Sequence, residues 1–373
     1  DRQIRFTRVD IDTLALNPRL VGTLRQTASA LGSGTADSGL DISLQQVRIN
    51  GLSWTTADGL RLGPFTATLD WENGALPARI ALAQDDGQLH AEITLADGAA
   101  NVRMQADAWT TPVYGPLRKA LRIEHLQATA RYTAGRLDIF DAGLTGPVGR
   151  LHLNGRLDWQ QDWRFDGRIA GEQVDLPLLL TGFELASVPG QADGECALKL
   201  HAAAAAQLFR KPGLDCDLRH THAGKVAQLK LTTQADADAL GYILHAQNLS
   251  LPLGPALHFD TLDMRGKLTA GQLSFTTAQA RGYQGEVDMR GALTWRTGWQ
   301  WSFTAQSRKL RLDPLLAVFD QHNLDGRLAA DCRGELAGKT FGVLFRQPDL
   351  SCDFTLTEGI LRNTDLEQAA RLI

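Results

Sequence analysis

The sequence predicts a mostly β chain, with antiparallel strands repeated along it and a few short helices laid between them. Three observations carry this expectation. Apolar and polar residues alternate with a period of two in segment after segment, the chain resembles itself at one fixed offset, and 36 glycines and 13 prolines punctuate short runs rich in Leu, Thr, Asp and Arg. At 373 residues, 43% of them hydrophobic, the chain can bury a large core. Strand repeats of this kind form a sandwich, a barrel or an extended groove.

The alternation is clearest in 150–160. Leu151, Leu153, Gly155, Leu157 and Trp159 fall on one face of a strand; Arg150, His152, Asn154, Arg156 and Asp158 fall on the other. The segment 286–295 has the same pattern with Val287, Met289, Gly291, Leu293 and Trp295. Beyond a short turn the phase continues into Trp163, Phe165 and Ile169, and into Trp299, Trp301 and Phe303. Similar alternation in 88–96, 101–109, 195–200 and 256–260 predicts an antiparallel meander. Helices are few. Residues 16–32 offer Asn17 as a cap, Pro18 in the first turn and a stripe of Leu20, Val21, Leu24, Ala28 and Leu31. Residues 364–373 open on a Thr364/Glu367 capping box. The segments 175–183 and 312–319 read as short helices or turns between strands.

A shift of 136 positions carries Cys196 to Cys332, Cys216 to Cys352, Trp159 to Trp295, Trp163 to Trp299 and Gly155 to Gly291. It also carries Thr133, Ala134 and Gly135 onto Thr269, Ala270 and Gly271. Cysteine and tryptophan are rare, with 4 and 8 in the chain, so such coincidences mark a duplication. The expected division is a β-rich segment with one amphipathic helix at 1–117, a first repeat at 118–253 and a second, truncated one at 254–373. The stretch ending at Trp71 echoes the one ending at Trp159, as a decayed repeat would.

All four cysteines share phase with apolar neighbours: Cys196 with Leu198 and Leu200, Cys216 with Leu214 and Leu218. Four cysteines allow three pairings, and the duplicated spacing favours one disulfide per repeat, Cys196 with Cys216 and Cys332 with Cys352, in an oxidising compartment. Four buried thiols are the alternative. The wide spacing lacks the close pairs of a structural zinc site. The tryptophans and phenylalanines on the dry face suit a core or an apolar ligand equally well.

Several function classes drop out. A net charge of −4 with scattered basic residues gives no footprint for nucleic acid. No apolar run is long enough to span a bilayer as a helix, the best being 176–183. The opening residues carry no basic-then-apolar leader, which fits a processed or excised piece lacking its targeting segment. GxSxG, HExxH, Walker and dinucleotide motifs are all missing, and the Gly-rich 31–39 precedes no Lys-Ser/Thr. His220 and His222 point the same way but lack a third ligand, and Asp236 and Asp238 suit a turn. No enzyme, cofactor or metal site is expected.

The closing stretch, from Leu324 to Ile373, resembles the C-terminal region of the AsmA-like family, which includes the TamB-, YhdP- and YdbH-like proteins of Gram-negative bacteria. The matching features are a strand pair, an acidic-Gly-apolar turn at Glu358, Gly359 and Ile360, and Asp365-Leu366 opening a helix. The resemblance implies an elongated, open, curled β-groove that bridges inner and outer membranes and shields phospholipid or other acyl chains. It implies a periplasmic location, inner-membrane anchoring through an N-terminal helix absent from this chain, and partner proteins at the ends. The candidate groove lining is then Leu151, Leu153, Leu157, Trp159, Trp163, Phe165, Val287, Met289, Leu293, Trp295, Trp299, Trp301 and Phe303. The competing expectations are a non-catalytic structural or adhesive β-repeat protein whose dry face is closed by its own second sheet, and a carbohydrate-active β-domain. The latter needs exposed aromatics and a carboxylate pair.

Overall fold

A computed structural model describes residues 2–17, 40–55, 61–72, 76–84, 88–113, 117–183, 188–236, 239–252, 256–269, 271–339, 343–345 and 348–361. The helices expected at 16–32 and 364–373, the Gly-rich 31–39 and Asp238 lie mainly or wholly outside them. The protein is mostly β: strands hold 75% of it, and twenty strands belong to one mostly antiparallel sheet that does not close. Two compact units divide the chain. One comprises Asp1–Ile169, Leu178–Leu185 and Ala203–Ala206; the other comprises Ala170–Pro177, Ala186–Ala202 and Gln207–Ile373.

The first unit contains β1 (Arg2–Phe6), β2 (Val9–Leu16), β3 (Leu40–Leu44), β4 (Gln46–Thr55), β5 (Arg61–Asp70), β6 (Arg79–Gln84), β7 (Leu89–Ala96), β8 (Ala99–Thr110), β9 (Arg122–Thr133), β10 (Arg136–Gly146) and β11 (Gly149–Asp158). From β4 to β11 each strand pairs antiparallel with the next. The expected meander fails at the start: β1 pairs with β3, and β2 with β4, both in parallel. A parallel pair needs a long connection rather than a hairpin, and the 23 residues between Leu16 and Leu40 supply one. β12 (Trp163–Asp175) spans the division between the units and leads into helix α1 (Leu176–Gly182).

The second unit contains β13 (Gln191–Ala202), β14 (Gly213–His222), β15 (Lys225–Ala235), β16 (Leu240–Pro252), β17 (Ala256–Thr269), β18 (Gln272–Gly282), β19 (Gly285–Thr294), β20 (Trp299–Arg311), helix α2 (Leu312–Ala317), β21 (Leu324–Gly338) and β22 (Asp349–Leu361). These ten strands form an unbroken antiparallel ladder in sequence order.

The 136-residue offset recurs in the elements. It carries the first residues of β10, β11, β12 and α1 onto those of β18, β19, β20 and α2. Irregularities move with it. The register of β10 on β11 slips between Ile139 and Ala142, and that of β18 on β19 between Phe275 and Ala278. Gln173 and Lys309 both sit at positive φ, 51° and 58°. Such bulges bend a strand and re-aim its side chains, so repeating them repeats the local curvature. One turn differs. Tyr283 and Gln284 both have positive φ, as a two-residue type I′ hairpin requires, whereas Pro147 at the equivalent place cannot adopt it.

The segment expected to turn at Glu358, Gly359 and Ile360 is instead part of β22. Glu358 is left-handed at φ 56°, and the register of β21 on β22 shifts there, so the chain bulges within the strand and does not reverse.

Candidate functional site: the apolar face of the sheet

Cross-strand register joins the alternating residues of separate strands into rows, and in each unit the rows on one face are mostly apolar, broken in the second unit by Thr233 and Ser307. In the first unit Val9, Val47, Leu69, Ile80, Ile93, Val102, Ala130, Ile139 and Gly155 stand opposite one another in turn across nine strands. None is buried and none fully exposed. The adjacent row runs Ile11, Ile49, Ala67, Leu82, Ala91, Met104, Ala128, Ala142 and Leu153. A third, shorter row brings Leu89, Ala106, Leu126, Leu144 and Leu151 together.

In the second unit a row crosses all ten strands: Cys196, Cys216, Leu231, Leu244, Met264, Ala278, Met289, Ala305, Cys332 and Cys352. A disulfide stands at each end, Cys196–Cys216 and Cys332–Cys352, as the spacing favoured. No cysteine is free. Beside it another row alternates large residues with glycine: Tyr242, Gly266, Phe275, Gly291, Phe303, Gly334 and Leu350. The rings lie down over the glycines. A Cβ at Gly334 would meet Phe303 at 2.5 Å, and one at Gly291 would meet Phe275 and Phe303 at 2.9 Å. Glycine in a strand commonly marks such a close approach, and here it lowers the relief of the face.

The opposite face is polar. Across the second unit Glu195, Asp217, Lys230, His245, Asp263, Gln279, Asp288, Gln306, Asp331 and Asp353 form one row. The exposed ion pair Arg281–Glu286 and the His245–Asp263 contact lie on this face; in the first unit the His125–Asp107 and His152–Asp141 contacts lie on the polar face there. A hollow of about 830 Å³ between long side chains of the second unit is lined by Arg290, Gln306, Arg308 and Arg333 together with Ala278, Met289 and Cys332.

Of the sequence-derived lining residues, Phe165 alone is buried; Leu151, Leu153, Leu157, Trp159, Trp163, Val287, Met289, Leu293, Trp295, Trp299, Trp301 and Phe303 are all half-buried. The tryptophans flank hairpin turns. Tyr132, Trp159 and Trp163 stack in series at 5.9 and 5.4 Å, and Trp295 lies 5.9 Å from Trp299. Trp301 packs on Phe303 and edge-on against Phe345, and its Nε1 is buried without a hydrogen-bond partner. Val287, Met289, Trp301 and Phe303 pack against a cluster of buried residues that includes Ala246, Leu262, Phe275, Ala278 and Ala280.

These small residues, Ala246 at 0% and Ala278 at 1% exposed, are the most enclosed part of the face, and periodicity alone passed over them. Their signal was present: each keeps the phase of larger apolar neighbours. Tyr242, in the same unit, donates its hydroxyl to the Ser274 carbonyl, and burial pushes its pKa up to about 12.

Of the remaining sequence candidates, Asp238 lies outside the described residues and Asp236 pairs with Lys267 at 2.7 Å. His220 donates its Nε2–H to the Pro189 carbonyl, 2.8 Å away, and its ring stacks on that of His222. Among the described residues no group of His, Cys, Asp or Glu is arranged to hold a metal, and no helix is long and apolar enough to cross a membrane.

Comparison with family models, curated proteins and solved structures found no match for this chain.

Proposed function

We propose that the chain binds acyl lipids along the apolar face of its sheet and serves as a periplasmic lipid-binding or lipid-bridging protein of the AsmA-like kind, between inner and outer membranes. The observation that carries this reading is the nine-strand row from Val9 to Gly155, whose residues are apolar and only half-buried. A closed core buries such positions; an open apolar face leaves them available to a chain of methylenes. Burial is worth about 0.8 kcal/mol per methylene, so a chain of about sixteen gains on the order of 13 kcal/mol over water. A face made of equivalent rows offers many similar positions, so no single residue need hold the lipid. The two disulfides suit an oxidising compartment.

The test is extraction of a fluorescent phospholipid from vesicles by Leu153→Asp and Val287→Asp variants. A carboxylate among the acyl chains should lower uptake about tenfold or more, while far-UV circular dichroism is unchanged. Folded variants that extract lipid at the unmodified rate would sink the reading.

A further inference from the structure

Trp301, the third residue of β20, stands opposite Leu293 on β19 and Leu336 on β21. Its indole Nε1 is buried and, among the described residues, has no hydrogen-bond partner. Buried donors in folded chains are almost always paired, because an unmade bond forfeits the one that water supplied. The half-buried Phe345 stands edge-on against the indole, with ring centroids 5.9 Å apart, and an aromatic ring is only a weak acceptor.

The first copy of the repeat shows that packing does not require this donor. The position 136 residues earlier holds Phe165, a ring with no N–H, which is 8% exposed. It lies down over Gly155 and Gly167, where an added Cβ would meet the ring at 2.8 and 2.6 Å. In the second copy Phe303 takes the place of Gly167, and Trp301 packs against it at 4.8 Å and 39°. The indole cannot settle onto a glycine there and stays half-buried.

Trp301 also stands where the apolar face gives way to water. Arg296 and Thr297, in the turn before β20, are exposed, while Phe303 and Met289 continue the face in the other direction. A tryptophan at such a boundary packs its rings against hydrocarbon and keeps its N–H for a polar group. In an acyl lipid the polar group at that level is the ester carbonyl, an acceptor joined directly to the methylenes.

We infer that Trp301 is a specificity-determining residue of the lipid face: its Nε1–H donates to the ester carbonyl of a bound acyl chain, with Phe345 turning aside to admit the oxygen. The methylenes then run over Phe303 and Met289, and the headgroup lies toward the turn at 295–298. The inference rests on the acyl-lipid reading above and adds one preferred position along a face of otherwise similar ones.

The test is the indole proton–nitrogen spectrum of the full chain, with the Trp301 signal assigned by its loss in Trp301→Phe. The chain is titrated with diheptanoyl phosphatidylcholine and with its diheptyl-ether counterpart, which keeps the headgroup and lacks the carbonyls. The Trp301 indole proton should move downfield with the ester lipid alone, and the ester lipid should bind about three- to tenfold more tightly than the ether. Trp301→Phe, which installs the ring of the first copy, should bring that ratio to about one; if it does not fold, the ester–ether comparison on the unmodified chain decides. Equal affinities with an unmoved indole overturn this inference and leave the lipid reading standing. Movement with both lipids assigns the acceptor to the phosphate and overturns it too. So does an indole proton already downfield and protected from exchange without lipid, because the chain's own acceptor then holds it. If neither lipid binds, the lipid reading fails and this inference with it.

Discussion

The disulfide hairpins β13–β14 and β21–β22 share a loop length, a bond and a position on the apolar face, yet they differ in what lies beside them. Cysteines 20 positions apart are joined in both. Cys216 is nearly inaccessible because β15 covers its flank; Cys352 is exposed because nothing described covers its own. Their polar faces diverge as well. Asp193 accepts the backbone N–H of Gln173 at 2.8 Å and a hydrogen bond from Arg219, where the equivalent position, Ala329, can accept neither. Register and bonding are alike in the two hairpins, whereas burial and charge pairing follow the neighbours of each.

The comparison breaks most visibly on removing the bonds. Each disulfide closes the same loop, worth about 3 kcal/mol by chain entropy. Replacing Cys196 and Cys216 by Ser also buries a hydroxyl at Cys216, adding about 1–2 kcal/mol. The double variant at Cys332 and Cys352 lacks that second cost. Urea denaturation should therefore show a larger loss for the first hairpin; equal losses would mean that the neighbouring strand contributes nothing.

Side-chain truncation comes next. Leu218→Ala should cost about 1 kcal/mol, and Phe354→Ala less than about 0.5 kcal/mol despite the larger group, because little of Phe354 is buried. A reversed order in thermal denaturation would contradict the assigned exposures.

Acid titration also distinguishes the hairpins. The Gln173 N–H, and then Arg219, hold the Asp193 carboxyl below its ordinary value against an opposing effect of burial. A folded-state pKa below the unfolded one contributes stability that is complete above the unfolded value and is lost as pH falls through the folded one. Asp193→Asn should therefore flatten the acid limb of stability below about pH 4, and Ala329→Ser should leave it unchanged. The smallest effect is at the surface. Lys230 lies 3.8 Å from Asp217, both largely exposed, and Lys230→Ala should change stability by less than about 0.5 kcal/mol.

Much of this was legible in the sequence. Period-two alternation located β11 and β19, and the doubled cysteine spacing favoured the local pairing over its alternatives. Three things were not legible. Alternation cannot reveal whether a dry face is covered, since Leu153 would alternate identically in a sandwich. Register between distant strands is absent from a one-dimensional pattern, so the rows from β2 to β11 and the parallel pairing of β2 with β4 emerged only from the backbone. Ala246, Ala278, Gly291 and Gly334 carry too little hydrophobicity to stand out, although the packing of Phe275 and Phe303 depends on their small size.

The openness of the apolar face is tested most directly by native mass spectrometry of the purified chain, with lipid extraction from the same sample. Copurified phospholipid that is lost in Leu153→Asp and Val287→Asp is the predicted result. A lipid-free chain that also takes up none from vesicles would contradict it, and would mean that the face is closed by the protein itself.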